Sequence, residues 1–234
     1  MDRRRIGWIA GALAVTAGLA AAGATFAGAQ GDDTRRGSDP LSADEVQAAT
    51  EDSGAPAAGA TESLGANGLP DRLVLLVERH VEDKGADPAL RRADVYEYDY
   101  SDDTLTQSVV DLADGHVADV TSGQGTQLPL VDVESQRALE LLFADDEFAT
   151  RLADEFQAAT GRALADPDTD LDVSPIVFRA DAMPTVAQGE AARCGVARCA
   201  QFLIQTTDHV LINLFPLVDL SHGVVLTSDG VAGS

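Results

Sequence analysis

From residue 41 onward, short apolar runs alternate with polar breaks, and the period of each run predicts its element. Ser42 stands three residues before Glu45, the spacing of a capping box, and Val46, Ala48 and Ala49 give the helix that follows one weak apolar face. Thr50 to Leu69 is rich in Ala, Gly, Ser and Pro, which predicts a flexible insertion or linker. Arg72 to Val81 is β-branched and leucine-rich and too short for a helix, so it predicts a buried strand. In Ala93 to Tyr100 the period is two, with Val95, Glu97 and Asp99 alternating against Tyr96, Tyr98 and Tyr100. Ser101 to Asp103 then turns the chain, Thr104 to Leu112 returns as a hairpin partner, and the Asp114-Gly115 turn leads into a strand over His116 to Val120.

The second half repeats this order. Val133 to Phe143 and Glu147 to Thr160 carry apolar residues at helical spacing, with Gly161 as a stop, and Asp166 to Asp170 predicts an acidic loop. Strands are expected over Ile176 to Arg179, Cys199 to Thr206, His209 to Val218 and Val224 to Leu226, the last two joined by a turn at Ser221 to Gly223. Val109 to Leu112 followed by Gly115-His116 is echoed by Leu217 to Leu220 followed by Ser221-His222, and Pro40-Leu41 is echoed by Pro129-Leu130, each pair opening a helix. A duplicated helix-then-sheet unit accounts for both echoes.

These residues resemble the small second and third N-terminal domains of copper amine oxidases, cystatin-like units of a helix on an antiparallel sheet. The likeness lies in Asp39 to Val46, Arg91 to Tyr96, Ser108 to Val117, Leu128 to Phe148 and Pro216 to Val225, spanning roughly 39 to 226. It implies an α+β fold of two cystatin-like units, 39–125 and 126–228, with a tail at 229–234. It also implies a role in binding or assembly, or as an accessory subunit or truncated paralogue beside a separate copper- and quinone-containing chain. The family's catalytic signature is an Asn before the Tyr that becomes the quinone, with copper held by a His-x-His pair. Here Asn67 and Asn213 precede Gly and Leu, and no such histidine pair occurs, so neither enzyme activity nor a cofactor is expected.

Residues 1–29 have the layout of a signal peptide: Arg3 to Arg5, an uncharged run from Ile6 to Phe26, then small residues ending at Ala29. That run is also long enough for a retained anchor, but its Ala and Gly content favours cleavage and a secreted or extracytoplasmic product. Residues 30–38 are polar and predict a disordered leader. A net charge of −23 excludes nucleic acid as a partner and leaves a membrane only if the N-terminal segment is retained. A protein partner or self-association remains.

For the two cysteines, Cys194 and Cys199, an oxidising compartment makes a disulfide the simplest reading; C-x-x-C redox chemistry does not fit, and a metal needs more ligands than the pair supplies. His116 and His222 fall at equivalent turns of the repeat and read as turn caps. No Gly-x-Ser-x-Gly is present, and Gln107-Ser108-Val109-Val110-Asp111 departs from the cystatin inhibitory loop by placing Asp where Gly belongs, which weakens an extracellular protease inhibitor reading. The acidic pairs Asp102-Asp103 and Asp145-Asp146 and the run Asp166 to Asp172 read as helix and turn caps. Tyr96, Tyr98 and Tyr100 could form a carbohydrate- or peptide-binding face, but one face of their strand must be buried, which favours rings covering the helix.

Overall fold

Ser42 and Glu45 start the first helix as their spacing predicts. In the computed structural model, which describes residues 39–56, 64–82, 84–87, 89–182 and 189–226, helix α1 (Ala43–Asp52) is capped reciprocally. The Glu45 amide donates to Ser42 Oγ at 3.3 Å and the Ser42 amide to Glu45 Oε2 at 2.7 Å. The same carboxylate takes two guanidinium N–H groups of Arg91, so the cap also fixes α1 to the chain entering the second strand. The expected signal peptide, leader and tail lie outside the described residues.

Four antiparallel strands follow in chain order: β1 (Arg72–Arg79), β2 (Arg92–Asp99), β3 (Thr104–Asp111) and β4 (Val117–Gly123). Helices α2 (Asp132–Ala144) and α3 (Asp146–Thr160) and the single turn α4 (Pro167–Asp170) lead into a second antiparallel sheet. That sheet runs β5 (Leu171–Phe178), β6 (Cys199–Thr206), β7 (Leu217–Asp219) and β8 (Val224–Leu226), again in chain order. The fold class is α+β, and a helix-before-meander order occurs twice.

The main core draws on both halves. One apolar cluster takes Leu75, Tyr98, Tyr100 and Leu105 from sheet one, Ala138, Leu142, Phe148, Leu152 and Phe156 from α2 and α3, and Phe202, Ile204 and Val218 from sheet two. The opposite face of sheet one, through Ala93, Val95 and Val110, packs against Ala49 of α1. Strand β2 is therefore buried on both faces, and the tyrosines turn away from α1 rather than covering it.

Four expectations need correction. Thr50 to Leu69 is not simply a linker: α1 runs to Asp52, and Leu69 is fully buried in the shared core. Asn67 beside it donates Nδ2–H to the Leu220 carbonyl at 2.9 Å, and its own carbonyl accepts from Arg137 Nε at 2.7 Å. The approach is close enough that a Cβ on Gly223 would lie 2.8 Å from Asn67 Cα, and Gly223 has φ +68°, so glycine is required there on both counts.

The strand expected over His209 to Val218 shrinks to Leu217–Asp219. His209 adopts a left-handed φ of 63° and closes a tight turn, its amide donating to the Thr206 carbonyl, while Pro216 has no N–H to give a ladder. Ile212 and Leu214 drop into the core from the irregular segment between them. Conversely, the strand expected at Ile176 begins at Leu171, and the expected acidic loop contains the helical turn α4, with Asp166 accepting from the Asp168 amide at 3.1 Å.

Arg91, first by its hydrogen bonds, holds the Glu45 carboxyl far below its ordinary value of 4.5. A depressed folded-state pKa contributes stability that is fully present above the unfolded value and lost as pH falls below it. Glu45→Gln should therefore cost about 1–3 kcal/mol at neutral pH, and the gap from the parent protein should close as pH falls below about 4.5 in urea-unfolding curves.

Candidate functional site

Alternation along β2 aims Tyr96, Tyr98 and Tyr100 at one side, as the sequence requires. Tyr98 and Tyr100 are buried and meet edge to face at 5.0 Å, so they offer no open binding face; Tyr96 is half-buried. Their hydroxyls instead enter polar contacts that join the two sheets. Tyr100 donates to Glu134 Oε1 at 2.6 Å, and Tyr98 donates to Asp103 Oδ1 at 3.0 Å and to the Val196 carbonyl at 3.1 Å. Burial, and next the neighbouring carboxylate, Glu134 or Asp103, raises each phenol above its ordinary value of 10, so both stay protonated as donors.

Glu134 and Arg198, both fully buried, form the centre of this network. Arg198 Nε and one terminal nitrogen grip the two Glu134 oxygens at 2.5 and 2.7 Å. Its remaining donors reach the Leu128 carbonyl at 2.7 Å, the Pro129 carbonyl at 2.9 Å and Gln127 Oε1 at 3.1 Å. Glu134 Oε2 also accepts the Val131 amide at 2.9 Å, closing the start of α2. The guanidinium lies 5.6 Å from the Tyr98 ring centroid, within cation–π range. Sequence reasoning passed over this pair although a signal existed. Glu134, Ala138 and Leu142 recur every four residues and are the buried positions of α2, and an acid in such a stripe demands a buried cation.

The cation comes from the loop that the cysteines close. Cys194 and Cys199 form a disulfide with Cα atoms 5.5 Å apart, as expected. Both are buried with Phe178, Ala180, Ala191, Ala197, Leu217 and Leu226 in a small cluster of their own. The loop's Gly195 and Val196 carbonyls both accept from Gln127 Nε2 at 3.1 Å. Ser221 Oγ accepts the Arg198 amide at 2.9 Å and donates to Asp103, which ties the β7–β8 turn to the β2–β3 turn.

The histidines at the repeated turns engage carboxylates. His116 Nδ1 lies 2.5 Å from Asp114, and His222 Nδ1 lies 3.0 Å from Asp219, which is fully buried and also accepts Arg193 Nε at 2.8 Å. In each case the histidine's backbone amide donates to the same residue, which is how a side chain caps its own turn. Asp111, Asp114 and His116 bring ligand-type atoms within 4.8 Å of one another on the exposed β3–β4 turn. The hydrogen bond to Asp114 raises the His116 imidazole and lowers the Asp114 carboxyl, the signature of an exposed ion pair. Of the acidic runs, Asp145 caps α3 by accepting the Phe148 amide at 2.7 Å, whereas Asp103 serves the inter-sheet contacts.

On the α1 side of sheet one, a hollow of about 310 Å³ opens between the end of α1 and β4, with Val117, Val120, Thr106 and Ser108 among its walls. Glu97 in its floor is held by Arg72 at 2.5 Å. Among the described residues, no helix is long and apolar enough to cross a membrane.

Removing one member of a fully buried ion pair strands the other, so Glu134→Gln should cost about 3–5 kcal/mol by urea unfolding. The double variant Glu134→Met/Arg198→Met should lose less than the sum of the two single changes. Opening the six-residue Cys194–Cys199 loop with Cys199→Ser should cost about 2 kcal/mol in the same measurement. The chain matches no protein-family model and no curated protein.

Proposed function

We propose that this protein is an exported, non-catalytic binding or assembly module, similar in plan to the N-terminal domains of copper amine oxidases. One observation carries the reading: the buried ionisable groups Glu134, Arg198 and Asp219 direct their hydrogen bonds onto the scaffold itself. A general acid, base or nucleophile must keep one face turned toward a reacting atom. Here those faces meet backbone carbonyls, turn amides and each other, which is how polar groups hold a framework together. Function then belongs to the surface.

Export is supported by the signal-like residues 1–29 and by the disulfide, a bond that persists in oxidising compartments. The helix-before-meander order at both halves supports the family likeness at the level of fold plan. Fold plan alone does not carry activity.

The purified mature chain is expected to contain substoichiometric copper by metal analysis, to stay negative in a quinone redox-cycling stain, and to release no hydrogen peroxide from primary amines. Stoichiometric copper or a positive stain would overturn the reading.

A further inference from the structure

A sheet edge exposes a row of N–H and C=O groups that will pair with another strand unless something blocks it. The two sheets have four edges. Strand β1 carries Arg72 and Arg79 at its ends, β5 contains Pro175, and β8 is only three residues long. Strand β4 lacks Pro, Lys and Arg: it is seven residues long and exposed throughout, with a register shift where it meets Val109 and Val110. Its one charged residue is Asp119.

The charge around this edge selects a partner. Asp119 lies on β4 itself, Asp111 and Asp114 flank its start at the β3–β4 turn, Asp102 stands beside Gln124 just past its end, and the one histidine at the edge, His116, is already paired with Asp114. Two copies meeting through β4 would set Asp119 and the neighbouring carboxylates against their counterparts, on chains of net charge −23. A cationic strand meets the opposite situation, because its charges approach carboxylates as its backbone approaches the open ladder. The hollow of about 310 Å³ beside Val117 and Val120 gives room for a side chain on the α1 side of an added strand.

We infer that β4 is a docking edge for an extended, Lys- or Arg-rich segment of a partner protein, added to sheet one as a further strand. The inference rests on the binding-module reading and names the surface and the chemistry of the partner.

The test titrates isotope-labelled mature protein with an end-blocked heptapeptide of alternating Lys and Val, following backbone amide shifts. Two controls are the same peptide methylated at every backbone nitrogen, which keeps charge but loses strand pairing, and an alternating Glu and Val peptide. Saturable shifts confined to residues 117–123 and their neighbours are expected. The methylated peptide should bind at least about tenfold more weakly, and Asp119→Lys, at an exposed position, should weaken the Lys peptide by about 3–10-fold at low salt. Equal binding of the methylated peptide, shifts that map elsewhere, no saturation, or dimerisation of the protein through β4 would overturn the site. A negative result here leaves the binding-module reading standing, whereas copper or quinone in the purified chain would sink that reading without altering the peptide outcome.

Discussion

A guanidinium and a carboxylate buried together without solvent are costly to desolvate, and the Arg198–Glu134 pair persists because its geometry leaves little unsatisfied. Four of the arginine's contacts go to Glu134 and to two successive carbonyls, and Glu134 accepts in addition from Tyr100 and from the start of α2. Each partner arrives from a different element: sheet one, the segment leading into α2, α2 itself, and the disulfide loop ahead of β6. The pair thus fixes register among parts of the chain that apolar packing alone, being non-directional, would locate only loosely.

The disulfide and the turns serve this arrangement. Cys194–Cys199 closes a short loop against the outer face of sheet two, so Arg198 emerges from a constrained backbone rather than a mobile one. Ser221, Asp103 and Tyr98 make a second crossing a short way along, and Asn67 with Leu220 and Arg137 a third. With Tyr98, Tyr100 and Leu105 in the same core as Phe156 and Phe202, the repeated halves share one interior although each keeps its own sheet.

Such an interior directs its buried polar groups onto the scaffold itself. The full chain is strongly anionic, and among the described residues β4 lies exposed at the edge of sheet one. On the proposed reading as a binding module, such an exposed edge is where another chain would add.

Much of the local structure was legible from residue pattern. The Ser42–Glu45 cap, the period-two strand at Ala93 to Tyr100, the two amphipathic helices and the short cysteine loop are set by neighbours within a few positions, so spacing alone determines them. Tertiary structure decided what depends on distant residues. The segment at Leu64 to Leu69 reads as linker by composition, yet it is ordered because Leu69 finds a core and Asn67 finds Leu220, 153 residues away. The tyrosine face was visible, but which element it meets depends on how the second sheet docks. Glu134 and Arg198 stand 64 positions apart, and no local rule joins them: only the folded chain could bring an acid on one helix to a cation on a closed loop, because burial makes each charge untenable without the other.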